Sequence, residues 1–290
     1  MAPLTERSRA KLNLSLDVVS RRSDGYHDLK MVMCSVEVWD DVTVSLRSDG
    51  VTLAESNLSW LPTDQRNLAV RAAQAFFDAL GEPNPGVEIR MEKRIPVGAG
   101  MAGGSANAAA VLRALNKLCG AGLTADQLRA IGLSVGSDVP YCVEGGFALA
   151  RGRGELLTPL PSLPPCQVVI AKPAFSVSTA ELFRRLDGRT IRTRPDTAGL
   201  LSAMDAGDLR GVTRRMYNVF EDVLPRNNGE IRAIRNRLLD SGAMGAVMTG
   251  TGSAVFGVFD DPDGARKAFL DLRGRVRDCF LTSFAEKTPV

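Results

Sequence analysis

The sequence predicts a mixed α/β (α+β) protein in two domains, residues 1–158 and 166–290. Three observations lead there. The N-terminal segment alternates apolar and polar residues with the period of a strand. A glycine-dense loop at 98–104 runs straight into an Ala/Leu helix signal. A proline-rich stretch, Thr158 to Pro165, separates that region from a second run of strand and helix patterns.

The elements follow in order. Over 8–19, Leu12, Leu14, Leu16 and Val18 share one face and Lys11, Asn13, Ser15 and Asp17 the other. Lys11 and Asn13 together either point into a site or lie on a solvated edge strand. Asp24-Gly25 marks a turn, and Tyr26-His27 beyond it either sandwiches a flat heterocycle or anchors a loop. Strands are expected at 30–38 and 41–46, a helix from Asn67 to Leu80 ended by Gly81, and a strand from Val87. The next helix, through Leu118, takes Ser105 as its N-cap. Thr124 and Gln127 form a capping box for a short helix that stops at Gly136-Ser-Asp138-Val-Pro140. Tyr141–Ala150 reads as a broken strand, and Arg151-Gly-Arg-Gly-Glu as a turn either facing phosphate or solvated. Beyond the linker come a strand at 167–171, helices at 179–186, 197–205, 208–222 and 228–241, strands at 245–249 and 254–259, a helix at 262–273 and a strand at 278–285. Gly250-Thr-Gly-Ser253 is either a plain hairpin or part of a phosphate cradle.

Composition narrows the chemistry. The net charge of +3 suits an anionic small molecule and leaves no footprint for nucleic acid. His27 is the only histidine, which disfavours a Ser-His-Asp device or a histidine-rich metal site. The five cysteines fit neither a disulfide framework nor a zinc pattern. No apolar run spans a membrane and no signal-peptide core is evident, so a cytoplasmic location, as monomer or homodimer, is expected.

The glycine loop carries the strongest signal. Free N–H groups leading into a helix N-terminus make an anion site, most often for phosphate. The Gly-Lys-Ser/Thr ending of a P-loop is missing. Gly98-Ala-Gly-Met-Ala-Gly103 matches the dinucleotide G-x-G-x-x-G literally, but Val87-Glu-Ile-Arg-Met has one wet face and no acidic strand end follows. An NAD-dependent oxidoreductase is therefore disfavoured.

Three blocks stand in order: Ala10-Lys-Leu-Asn-Leu with Asp24-Gly-Tyr-His, Pro96-x-Gly-Ala-Gly-x-Ala-Gly-Gly-Ser, and Gly250-Thr-Gly-Ser. Together they resemble the GHMP kinase superfamily over nearly the whole chain. The resemblance implies a ribosomal-S5-like first domain, a ferredoxin-like second domain, and ATP with Mg²⁺ in the cleft between them. It implies Lys11 and Asp138 as the catalytic pair. The ATP loop would comprise Pro96, Val97, Gly98, Ala99, Gly100, Met101, Ala102, Gly103, Gly104, Ser105 and Ala106. Asn13, Tyr26 and His27, and more distantly Thr179 and Phe183, match positions that hold the acceptor; Gly250, Thr251, Gly252 and Ser253 match the third motif. The first block, with Gly136-Ser-Asp-Val-Pro and Gly145-Gly146, most resembles members whose acceptor is a cytidyl diphosphate ester of methylerythritol, which implies that acceptor here. Homoserine, mevalonate or galactose kinases of the same superfamily would share the ATP loop, and an S5-like domain could instead bind RNA. Two departures stand out: Met101-Ala102 replaces a frequent Leu-Gly, and Asn107 stands where an Asp is frequent. No metal ligand set is legible, although Ser105 is a candidate.

Overall fold

The computed structural model describes residues 2–225 and 228–290. Two sheets carry the chain. The first begins with a long antiparallel hairpin, β1 (Leu4–Arg21) and β2 (His27–Leu46). β3 (Thr52–Ser56) lies parallel to β4 (Val87–Glu92), joined by the crossover helix α1 (Leu68–Leu80). Asn67, expected as the first helical residue, instead caps α1, and Gly81 ends the helix as expected, in the left-handed conformation. Then come α2 (Gly103–Leu118), α3 (Ala125–Val135, opened by the Thr124/Gln127 capping box), α4 (Val139–Glu144), β5 (Phe147–Gly152) and β6 (Leu156–Pro159).

The second half holds β7 (Gln167–Lys172), α5 (Thr179–Asp187), α6 (Thr197–Asp205), α7 (Leu209–Thr213), β8 (Tyr217–Asn218), α8 (Gly229–Asp240), β9 (Gly245–Met248), β10 (Val255–Phe259), α9 (Pro262–Arg273), β11 (Asp278–Thr282) and β12 (Phe284–Ala285). β7, β9, β10 and β11 form a sheet in the order β11-β7-β10-β9. With α8 and α9 this is the ferredoxin-like arrangement.

Packing follows the sequence pattern. Ala108, Leu112 and Leu115 of α2 and Phe76 of α1 bury against Val42, Val44 and Ile89 of the first sheet. Burying such side chains stabilises by about 1.5–3 kcal/mol each. A second core, with Phe220, Phe259, Leu238 and Leu182, ties the ferredoxin-like sheet to Leu16 and Met33 of the first hairpin. Two short strands cross between the halves: β8 pairs parallel with β1, and β12 pairs with β2. No helix among the described residues is long and apolar enough to cross a membrane.

Several sequence expectations need correction. The strands at 30–38 and 41–46 are one strand, because β1 pairs with β2 on both sides of a bulge and through Trp39-Asp40, and β4 pairs with it from Asp41 onward. β3 was not foreseen. Residues 141–144 of the expected broken strand belong to α4, which starts at Val139, since a proline fits its first turn without losing a hydrogen bond. The helix expected at 208–222 ends at Thr213. Asn218 then donates from Nδ2 to the carbonyls of Met248 (2.7 Å) and Gly250 (2.8 Å), pulling the chain into β8 and a 3-10 turn over Val219–Val223. Ser105 is not the N-cap of α2, which starts two residues earlier behind Ala102.

Candidate active site

The glycine loop between β4 and α2 is built by alternation. Ala99 and Met101 are buried, and their carbonyls accept hydrogen bonds from Ala254 N (3.1 Å) and Lys11 N (3.2 Å). Alternating with them, Gly98, Gly100 and Ala102 take φ of 64°, 75° and 56°. A Cβ on Gly100 would lie 2.2 Å from the Thr249 carbonyl oxygen, so only glycine fits there. The loop is thus clamped from below by motif one and motif three. No side chain caps α2, which leaves its first N–H groups free.

That helix end opens into a cavity of about 1040 Å³. Pro96 to Ser105 line it, with Lys11, Tyr26, His27, Asp138, Thr179, Phe183, Gly250, Thr251 and Gly252. Ala106 is buried behind the loop, and Asn13 and Ser253 are buried outside the cavity wall.

Lys11 and Asn13 lie between two register breaks in β1, at Arg9/Lys11 and Asn13/Ser15, which re-aim their side chains. Their face is not solvated, since Lys11, Asn13 and Ser15 are all buried. Lys11 Nζ donates to Asn13 Oδ1 at 2.6 Å, and the same oxygen accepts from Gly250 N at 3.0 Å. Asn13 N in turn donates to Thr249 Oγ1 at 3.1 Å. Asn13 therefore joins the first and third motifs rather than facing the cavity. Burial pulls the Lys11 amine below the ordinary lysine range, and the charge of Asp138 opposes that pull. Lys11 and Asp138 both line the cavity, and the Asp138 charge reaches Lys11 without an ion pair between them; the Lys11 amine bonds to Asn13. The Asp138 carboxylate, half-buried at the start of α4, caps no helix.

The far end of the cavity is aromatic. The His27 ring stacks on Phe183 with centroids 4.5 Å apart, and Phe183 meets Phe220 edge-on at 5.0 Å. His27 Nε2 hydrogen-bonds Asp187 Oδ1 at 2.7 Å, so one ring nitrogen is already engaged with α5. Tyr26 is half exposed, and the Arg153 guanidinium lies 3.9 Å over its ring. Thr179 and Thr251 share a hydroxyl hydrogen bond of 2.8 Å, which ties α5 to the third motif. Ser253 Oγ donates to the Phe175 carbonyl at 2.6 Å, a structural tie beneath it.

Sequence reasoning missed a network under the loop. Asp40, Lys93 and Asn107 are buried together; Lys93 Nζ pairs with Asp40 and donates to Asn107 Oδ1 at 2.8 Å. Asp40 Oδ1 accepts from the N–H groups of Arg94 (2.6 Å) and Ile95 (2.8 Å), which sets the start of the loop. Asp40 lies more than 50 residues from its partner Lys93, and no local pattern links them.

Comparison with known proteins decides the family. The GHMP kinases N terminal domain model matches residues 67–146, and the GHMP kinases C terminal model matches 200–278. A 4-diphosphocytidyl-2-C-methyl-D-erythritol kinase of Alkaliphilus metalliredigens is 45% identical over 266 residues, covering 92% of this chain and 91% of that protein. The chain belongs to the GHMP kinases. Among solved structures, a 4-(cytidine 5'-diphospho)-2C-methyl-D-erythritol kinase superposes with a TM-score of 0.81 at 34% identity, covering 97% of this chain and 99% of that one. A homoserine kinase of Cytophaga hutchinsonii gives 0.79 at 19% identity, covering 99% and 96%, which speaks for the fold alone.

Proposed function

We propose that this GHMP kinase transfers the γ-phosphate of ATP to the 2-hydroxyl of 4-diphosphocytidyl-2-C-methyl-D-erythritol, releasing ADP and the 2-phosphate. The observation that carries this reading is one cavity that joins an uncapped helix N-terminus, a buried lysine with a carboxylate in its field, and an aromatic end. Residues 1–158 would carry ATP and the catalytic pair, and 166–290 would close the acceptor side.

Phosphoryl transfer needs in-line placement and neutralised charge more than covalent chemistry. The free N–H groups of the loop and of α2 would receive the ATP phosphates. Leu61, Pro62 and Leu68 offer the purine an apolar wall beside them. Asp138 would accept the proton of the attacking hydroxyl, an assistance worth about 10²–10⁴-fold. Lys11, held by Asn13, would meet the charge on the transferring group.

No three acidic, histidine or cysteine side chains cluster as a metal site among the described residues. Mg²⁺ would arrive on the nucleotide, held mostly by phosphate oxygens and water, and would supply charge neutralisation. The Ser105 hydroxyl, on the cavity wall and free of any capping duty, is the protein oxygen suited to it.

A coupled assay of ADP release tests the reading. Turnover should require the diphosphocytidyl acceptor and be absent with homoserine, mevalonate or galactose. Turnover with one of those, and none with the cytidyl ester, would overturn it. The protein is expected to work as a monomer or homodimer, away from membranes and nucleic acid.

A further inference from the structure

The cavity wall holds an arginine, Arg153, that no carboxylate pairs with among the described residues. Arg153 sits in the tight turn between β5 and β6, flanked by Gly152 and Gly154 at φ of 69° and 115°. The turn is pressed onto the rest of the site: a Cβ on Gly154 would lie 3.3 Å from Met31 Cε and 3.7 Å from the Ser137 carbonyl oxygen. The nearby carboxylates are taken. Glu155 accepts from the Arg153 backbone N–H at 2.6 Å, and Asp24 and Asp28 pair with Arg22. The guanidinium itself makes one long hydrogen bond, Nη2 to Ser137 Oγ at 3.4 Å, and its Nε is buried with no partner at all. A guanidinium carries five donors in a fork that matches phosphate. A buried donor left unpaired carries a desolvation penalty that an anionic ligand would recover.

Its position selects the anion. One face of the guanidinium covers Tyr26, at the aromatic end of the cavity, and its Nη2 touches the residue preceding Asp138. In a cytidyl diphosphate ester the diphosphate lies between the base and the acceptor alcohol. With the base at the aromatic end and the alcohol at Asp138, the diphosphate falls between them, beside Arg153. We propose that Arg153 is a specificity-determining residue that grips the diphosphate of the acceptor, distinct from the N–H groups that receive ATP; this rests on the functional reading above.

The test compares wild type, Arg153→Met and Arg153→Lys. With the glycine loop saturated by a non-hydrolysable ATP analogue, CDP and cytidine are titrated calorimetrically. In Arg153→Met, CDP should bind about 10- to 100-fold more weakly while cytidine changes little, and Arg153→Lys should recover part of the loss. In the kinase assay the KM for the acceptor should rise by a similar factor, far more than kcat falls or the KM for ATP moves. Equal weakening of CDP and cytidine would assign Arg153 to holding Tyr26, and unchanged CDP affinity would remove it from the site; either overturns the inference. If the wild type fails to phosphorylate the cytidyl ester, the functional reading falls, while the CDP-against-cytidine difference still decides the role of Arg153.

Discussion

Replacing Asn13 by Ala probes the joint between the first and third motifs. The Asn13 carboxamide oxygen receives two N–H groups that have no water to turn to: the Lys11 ammonium at 2.6 Å and Gly250 N at 3.0 Å. A bond from a charged donor contributes about 1.5–3 kcal/mol and a neutral one about 1 kcal/mol, so Asn13→Ala should cost about 2–4 kcal/mol of stability. For a chain of this size that is a fall in Tm of about 4–10 °C. The catalytic effect has a sign. Lys11 would act as a cation, and burial already lowers its pKa. The carboxamide oxygen favours the charged form, so its removal lowers the pKa further. Activity that needs the ammonium is complete below that pKa and is lost as pH rises through it. The basic limb of kcat/KM against pH should therefore move to lower pH in Asn13→Ala. In Asn13→Asp, a carboxylate beside the amine should move it to higher pH. A basic limb that stays put in both variants, with Tm unchanged, would refute the role given to Lys11 and to its partner.

Three further predictions use the same geometry. Asp138→Asn should cut kcat by about 10²–10⁴-fold while a fluorescent ATP analogue binds as to wild type; retained turnover would take Asp138 out of the mechanism. Gly100→Ala and Gly120→Ala form a matched pair, since both residues have positive φ but only Gly100 has backbone against its Cβ position. Gly120→Ala should lose about 1–2 kcal/mol in urea unfolding and keep its KM for ATP, whereas Gly100→Ala should lose more and raise that KM at least about tenfold. His27→Ala removes the stack on Phe183 and the bond to Asp187, so the KM for the cytidyl acceptor should rise about tenfold with the KM for ATP unmoved; equal changes in both would indicate a folding role.

What the sequence revealed was the part written locally. Glycine spacing, the Ala/Leu helix and the capping box each act within a few residues, and the structure realises all of them. The Ser105 cap failed because Ala102 reaches φ of 56° without glycine, which lets α2 start earlier. The helix expected over 208–222 failed because Asn218 bonds to carbonyls about 30 residues away, and tertiary partners override periodicity. Asn13 presented as a site residue by its place beside Lys11 in a strand. Only three-dimensional register exposes it as a buried clamp.

The Asn107 departure has a cause of the same non-local kind. Asp40 already supplies the acid of the network, its Oδ2 shared between the Lys93 ammonium and Asn107 Nδ2, the latter at 2.8 Å. Asn107 Nδ2 also donates to Ser8 Oγ at 2.9 Å, so the amide matches an acceptor on each side. An Asp at 107 would set a second carboxylate against Asp40 Oδ2 with one ammonium to serve both. Asp40 and Asn107 are 0% and 2% exposed, so that excess charge would sit nearly out of water. Lys93 imposes the complementary limit: a Cβ on Gly103 would lie 3.4 Å from its Nζ, which puts a cation beneath the positive end of the α2 dipole. One carboxylate, at Asp40, neutralises that cation and fixes the N–H groups of Arg94 and Ile95 at the loop's entry. The floor of the loop is thereby neutral and bonded, and the main-chain N–H groups above it remain free for phosphate.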